Sequence, residues 1–582
     1  MGVKGLNYFA YNRLPNGTCP IRIKDEIRKY YDSFPDAPPP IIVVDLKCLV
    51  YPFLRLDPAG VICGGRFNFI ATRMDRFFTD LTTLGAKLEF FCDGPIRNAT
   101  SEKWCMKKDD YYRRMELLFD AVDSDKELSM IQSSTDLPFD YVCTIKTIAM
   151  KHGPFHWAVT NECDQEMAHF ANQSKSLAIM TDDSDFMIYE GSFRFWCVSK
   201  LNVENLTLFE IDRVGLVRHL RLSPNQMPLL ATLVGNDVVD SIKIQRFHKS
   251  LGRTSETIRN VAAFIRNQQQ IAVGQIFDKV LTINSTRSGE LKSTFQKSYD
   301  SYQKTFEPFN LEHTSDPIEA VLLSRKAPLF YQLWHSKNIE CFPGVIDLRH
   351  DQLGKQVTLA RVSLILRMGG IILYHRQVSR KTKCSVMVKL DHDSAHAVQP
   401  RFVIFPTRME PPPLTDLLSN DPALCDELQG IKWKLLWWVV SETFDQRGIE
   451  TVPEPMQIAV VTLYWLMDNR ILELYEADLL LQVAHDVTFD KYDLEAVEYP
   501  EKLASRPFRV AFLFPLLYSL IASVFNLVGL PGSRYENPPF DGALFHSRYN
   551  GWKERSLNGS ARWDGIEEMR IYSSIITRPS TD

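Results

Sequence analysis

The sequence lacks the features that would settle its class at a glance. It has no CxxC pair: its 11 cysteines are odd in number and scattered. Neither a disulfide framework nor a thiolate zinc site is expected, and a reducing compartment is. It has no basic excess. Lys and Arg total 67 against 71 Asp and Glu, a net charge of −4, so contact with nucleic acid has to come from local patches. It has no internal repeat and no extended low-complexity tract, which sets aside solenoids and tandem arrays. The opening Met1-Gly2-Val3-Lys4-Gly5-Leu6 has no apolar core, so a secretory signal is not expected. Leu6 stands where a myristoylation pattern wants Ser or Thr.

Long uncharged runs are also scarce. Residues 510–530 form one, broken by Pro515, Tyr518, Ser519, Ser523 and Asn526 and closed by Pro531-Gly532. Its length would permit a membrane span. Its flanks carry no strong basic cluster, and the reading preferred is the central helix of a large helical core, with no membrane partner.

What is present fits an ordinary globular protein, with 45% hydrophobic and 24% charged residues. A length of 582 residues suggests two to four domains. After Pro38-Pro39-Pro40 comes Ile41-Ile42-Val43-Val44-Asp45, a short continuous apolar run that reads as a strand buried on both faces. Residues 66–84 carry apolar positions near the 3.6 period and stop at Gly85, which predicts a helix. Further strands are predicted at 87–92, 155–159 and 177–180, with a helix beginning at Glu162. Strand and helix alternate, so the expected fold class is α/β, a doubly wound parallel sheet. Residues 123–136 read as a polar loop, and helical patterns dominate from about 255. Residues 376–400 look polar, 431–530 read as apolar helices, and the tail from 533 is expected to be poorly ordered.

Several apolar runs end on acids: at Asp45, Asp93 and Asp237, and at Thr181-Asp182-Asp183-Ser184-Asp185. Carboxylates crowded together repel, and one would normally retain its proton at neutral pH. A bound divalent cation removes that penalty. In doubly wound sheets ligands bind at the carboxyl ends of the strands, where Asp45, Asp93, Asp183 and Asp185 would fall. These acids point to a magnesium-dependent nuclease or a descendant of one.

The blocks Met1 to Leu6, Val44-Asp45, Phe91-Cys92-Asp93-Gly94, Glu162-Cys163-Asp164, Thr181 to Asp185 and Gly235-Asn236-Asp237 occur in the order seen in the flap endonuclease (XPG-like, PIN-like) superfamily, which residues 1–245 resemble. Within it the chain looks most like the asteroid homologue group, through Asp185-Phe186, Ala168 to Asn172, Leu229-Leu230-Ala231 and Pro453-Glu454-Pro455. The resemblance implies that Asp45, Asp93, Glu162, Asp164, Asp183, Asp185 and Asp237 hold two Mg²⁺ ions, or Mn²⁺. Such ions lie about 3.5–4 Å apart or slightly more, and they activate water and stabilise the leaving oxygen in phosphodiester hydrolysis. It implies a base-stacking role for Tyr51, close approach of Gly2 to the DNA backbone, and steering of the scissile phosphate by Lys103, Lys107 and Lys108 in the basic, aromatic-rich stretch 97–114. One departure stands out: residues 243–252 lack the Gly-x-Gly of the family's helix-hairpin-helix, which puts that style of duplex grip in doubt.

The resemblance thus implies a structure-specific endonuclease acting on branched or single-stranded DNA, with RNA as a further substrate class and a nuclear setting, or failing that a cytoplasmic one. The competing expectation is a non-catalytic scaffold on the same fold, in signalling, transcription or RNA binding. The boundaries expected are a nuclease-like core at 1–250, a helical connection at 251–314, and a mostly α-helical asteroid-type part at 315–582 that serves as a platform for a protein partner.

Overall fold

In the computed structural model, residues 2–94, 102–134, 141–158, 162–268, 271–285, 289–303, 316–335, 338–340, 352–376, 383–389, 398–441, 446–557 and 567–577 are described. Two compact units emerge, each assembled from separate stretches. The first takes residues 1–53, 74–94 and 149–309; the second takes 54–73, 95–148 and 310–582. The sequence alone places boundaries near 250 and 315, whereas the compact units interleave.

The first unit is built on seven strands: β1 (Thr18–Arg22), β2 (Ile41–Asp45), β3 (Lys87–Asp93), β4 (Phe155–Ala158), β5 (Ala178–Thr181), β6 (Arg194–Asn202) and β7 (Thr207–Ile211), in spatial order β1-β7-β6-β5-β2-β3-β4. The pairs β2–β3, β3–β4, β2–β5 and β5–β6 are parallel; β6–β7 and β1–β7 are antiparallel. The expected doubly wound α/β sheet is therefore present, extended on one edge by an antiparallel pair. Ile42, Val43, Val44, Ile179 and Met180 are fully buried, as continuous apolar runs in a sheet covered on both faces should be. Burying each such side chain contributes about 1.5–3 kcal/mol, so register is set by the core.

From β2 the chain winds to β3 and β4 on one side, then returns to β5 and β6 on the other. The switch point lies between β2 and β5. Val44 pairs with Met180 and Asp45 with Phe91, so β2 and β5 end level while β3 runs two residues further, to Asp93. The helix Cys163–Gln173 packs on β3, β4 and β5, and Met227–Val234 packs on Thr257–Arg266 and Gly289–Ser301.

The second unit is mainly helical. Its helix Ser505–Leu527 is, among the described residues, the one long and apolar enough to cross a membrane, and 78% of its most apolar window is buried inside the protein. Two expectations give way here, and one stretch noted only as polar takes on regular structure. A helix, Leu128–Ser134, occupies the stretch read as a polar loop; it buries Leu128 and Ile131 against Phe508 and Phe512, a gain invisible in local polarity. The polar stretch around 376–400 contributes strands Ser385–Lys389 and Val398–Phe402 to a three-stranded sheet with Asn338–Glu340. The tail, expected to be poorly ordered, carries helices Gly542–Leu557 and Glu567–Thr577, anchored by buried Phe545, Met569, Tyr572 and Ile576.

Candidate metal centre

Most of the acids arrive from a strand end or the helix that follows it; Asp237 instead follows the end of the helix Met227–Val234. At the end of β2, Asp45 turns its carboxylate back on the helix Leu46–Leu54. Its Oδ1 accepts from the N–H groups of Lys47 and Cys48 at 3.1 and 3.2 Å, and its Oδ2 accepts from Thr181 Oγ1 at 2.8 Å. Asp45 is only 8% exposed. Burial pushes its pKa up, these hydrogen bonds oppose the rise, and Asp93 adds to it. Asp93, at the exposed end of β3, takes an ion pair from Lys47 Nζ at 2.9 Å.

After β5 the chain makes a tight turn. Asp183 accepts from the Asp185 N–H on Oδ1 at 2.9 Å, capping the short turn Ser184–Met187. The hydroxyl of Ser184 donates to the Val3 carbonyl. Asp182 serves a different end: its Oδ1 accepts from the Ser199 N–H at 2.7 Å and the Cys197 thiol at 3.0 Å, tying the turn to β6.

Asp164 comes from the first turn of Cys163–Gln173. Oxygens of Asp164, Asp183 and Asp185 all lie within 4.8 Å of one another. Burial first, and then the charge of Asp183, hold the Asp164 carboxyl well above the usual carboxylate range; Asp45, Asp185 and Asp93 add to the rise. Burial and Asp183 push Asp185 up to about 7, with Asp237 contributing. A hydrogen bond from the Tyr302 hydroxyl at 2.7 Å opposes that shift.

Asp45, Asp93, Asp164, Asp183, Asp185 and Asp237 thus share one electrostatic neighbourhood. Asp45, Asp93 and Asp237 flank the triad without joining its tight group, and Glu162 stands exposed at the N-cap of the Asp164 helix. Gly2 is buried with φ +69°, and a β-carbon there would meet Asp183 Oδ1 at 2.2 Å; only glycine lets the N-terminal segment lie on the acid turn. Tyr51 is 47% exposed on Leu46–Leu54. Lys103, Lys107 and Lys108 belong to the helix Glu102–Asp123, and their side chains fall outside the described residues.

Sequence reasoning missed two residues. Lys47, two positions after Asp45, was in plain view. Tyr302 was not: it lies 117 residues from Asp185. Asn236 Nδ2 donates to the Tyr302 oxygen at 3.0 Å while Asn236 Oδ1 accepts from Val238 and Val239. The Gly-Asn-Asp turn therefore orients the tyrosine that holds Asp185. Burial and the Asp185 charge keep the Tyr302 phenol protonated, hence a donor. Three converging carboxylates, two of them with raised pKa values, offer only oxygen ligands. That donor set fits a hard divalent cation such as Mg²⁺ or Mn²⁺.

Fold and site together define an α/β protein with an acidic cluster at the carboxyl ends of its parallel strands. Residues 220–305, which span Asn236, Asp237 and Tyr302, match the family described as FAM120A-like domain. The constitutive coactivator of peroxisome proliferator-activated receptor gamma from Bos taurus is 25% identical over 313 residues, 52% of this chain and 43% of that protein. The protein of that name from Homo sapiens is 27% identical over 250 residues, 42% of this chain and 27% of that protein. The matched stretch thus spans less than half the length of these relatives, and they carry coactivator names, not the asteroid name. Among solved structures, the catalytic core of Rad2 in complex with DNA substrate is 16% identical, with 53% of this chain and 92% of that chain covered and a TM-score of 0.30. Human GEN1 in complex with Holliday junction DNA is 15% identical, with 63% and 80% covered and a TM-score of 0.30. The Holliday junction-resolving enzyme GEN1 with product DNA and Mg²⁺ is 12% identical, with 74% and 100% covered and a TM-score of 0.32.

Proposed function

We propose that this chain is a divalent-cation-dependent phosphodiesterase of the structure-specific endonuclease type, acting on branched or single-stranded DNA. The observation that carries this reading is the convergence of Asp164, Asp183 and Asp185 within 4.8 Å, at a cost in mutual repulsion. A scaffold gains nothing from that cost. These three would hold Mg²⁺ or Mn²⁺, with Asp45, Asp93, Glu162 and Asp237 around them. When bound, the cation would supply a more acidic water and neutralise charge on the phosphate. Tyr302 fixes Asp185, and Asp45 is locked by three donors. The exposed ring of Tyr51 is available to stack on a base whatever its sequence. Lys103, Lys107 and Lys108 would contribute sequence-independent phosphate contacts.

The second reading is a scaffold on the nuclease fold, acting in signalling, transcription or RNA binding with the asteroid-type helical part as a protein platform. It is favoured by relatives named as a coactivator. Either reading suits a nuclear setting.

Purified protein supplied with Mg²⁺ or Mn²⁺ and labelled flap, overhang, bubble and single-stranded DNA is expected to cut at least one of them, with chelator abolishing the cutting. Intact substrates across the whole panel would leave the scaffold reading.

A further inference from the structure

The acids already have one cation beside them, and the chain supplies it. Lys47 sits on the first turn of Leu46–Leu54, and its Nζ lies 2.9 Å from Asp93 Oδ2. The two side chains are 59% and 48% exposed, so burial does not force them together. The ammonium could extend into water, yet it lies over the acids, where Asp93 and, more weakly, Asp45 attract it. Asp45, meanwhile, already has both oxygens engaged by three donors. The acids therefore fall into two sets. Asp164, Asp183 and Asp185 face one another within reach of a single ion; Asp93 is neutralised from within, and Asp45 is committed to the fold.

We propose that the Lys47 ammonium takes the place of a second divalent cation, so that the pocket holds one ion, on Asp164, Asp183 and Asp185. This rests on the metal-dependent reading above and changes the two-ion expectation drawn from the resemblance. An ion bound at Asp93 would have to displace Lys47 or sit beside its positive charge, and like charges at such range repel. Lys47 would do part of the missing ion's work. It neutralises Asp93, and its remaining N–H donors could face a phosphate oxygen.

Counting bound Mn²⁺ tests this without any measurement of cutting. Isothermal titration of the full chain is expected to give one Mn²⁺ on the wild type and two on Lys47→Met, with Lys47→Arg retaining one. Electron paramagnetic resonance of the Mn²⁺-loaded Lys47→Met protein should show an exchange-coupled pair that the wild type lacks. Lys47→Gln gives a second neutral variant should the methionine protein fold poorly, which circular dichroism would reveal. Two ions on the wild type would overturn the proposal, as would one ion on both the wild type and the neutral variants. No Mn²⁺ on any of these proteins would remove the metal-dependent reading itself, so the two failures are distinguishable.

Discussion

Replacing Asp183 with asparagine is expected to abolish divalent-dependent cutting and, in the same protein, to stabilise the metal-free fold. Asp183 is the largest neighbouring charge acting on both Asp164 and Asp185. Asparagine keeps an oxygen for the Asp185 N–H that Asp183 caps at 2.9 Å, so the turn should survive. Losing one carboxylate from the triad removes a charged ligand, and several kcal/mol of metal-derived stabilisation corresponds to about a thousand-fold in rate. The stability effect runs the other way and depends on pH. The Asp185 carboxyl is pushed from its ordinary 3.8 up to about 7, so the folded state binds that proton more tightly than the unfolded chain does. Below about pH 4 both states are protonated and there is no cost. Between about pH 4 and 7 the cost of ionising the folded state grows as pH rises, and above that it is fully present. Melting the metal-free wild type from pH 5 to pH 8 should therefore show falling stability, and Asp183→Asn should flatten the fall. At pH 8 the variant should gain about 1 kcal/mol, or about 2 °C. A variant that cuts normally, or melts below the wild type at pH 8, would contradict the assignment.

The second large effect is expected in the helical unit. Arg66 is 5% exposed and 475 residues from its partner Asp541. Its Nε donates to Asp541 Oδ2 at 2.8 Å, and its Nη1 donates to Asp57 Oδ2 at 3.2 Å and to the Tyr499 hydroxyl at 3.0 Å. Its Nη2 donates to the Leu494 carbonyl. The carboxylates it pairs are themselves caps: Asp57 Oδ1 accepts from the Gly60 N–H, and Asp541 Oδ1 from that of Leu544. Arg66→Ala leaves Asp541, 1% exposed, as a buried charge without its cation. The expected loss is about 3–5 kcal/mol in chemical denaturation. Arg66→Lys should recover little, since one ammonium cannot reproduce the fork that meets two carboxylates, a phenol and a carbonyl. A loss under about 1 kcal/mol would mean that the network does not hold residues 57–66 to residues 494–541.

The parts of the site that could be read from the sequence are those whose physics is local. An apolar run that stops at an acid marks both a buried strand and its carboxyl end, so β2, β3 and β5 were readable together with Asp45, Asp93 and the turn after Met180. Asp237 was readable in the same way, at the end of an apolar run, whereas Glu162 and Asp164 came by resemblance, because a helix start is not distinctive alone. What escaped depends on distance. Tyr302 reaches Asp185 from a helix end 117 residues on; one tyrosine in a polar stretch has no signature. On the β1 side of the sheet, β1 and β6 escaped because Pro20 and the polar second half of β6 break the alternation that marks a strand, and β7, which lies between them, escaped with them. The tail helices escaped for the opposite reason: they are held by a few large apolar side chains, Phe545 and Tyr572 among them, within a composition that reads as loop. Asp182 looked like one more member of the acid cluster, yet it is spent on tying the turn to β6.

Everything functional follows from one claim, that Asp164, Asp183 and Asp185 form a seat for a divalent cation. Crystals of the full chain soaked in Mn²⁺, with data collected at the manganese edge, test it most directly. An anomalous peak bounded by those three carboxylates is the expected result. A well-ordered pocket with no peak, or manganese bound elsewhere while the triad stays protonated, would contradict it.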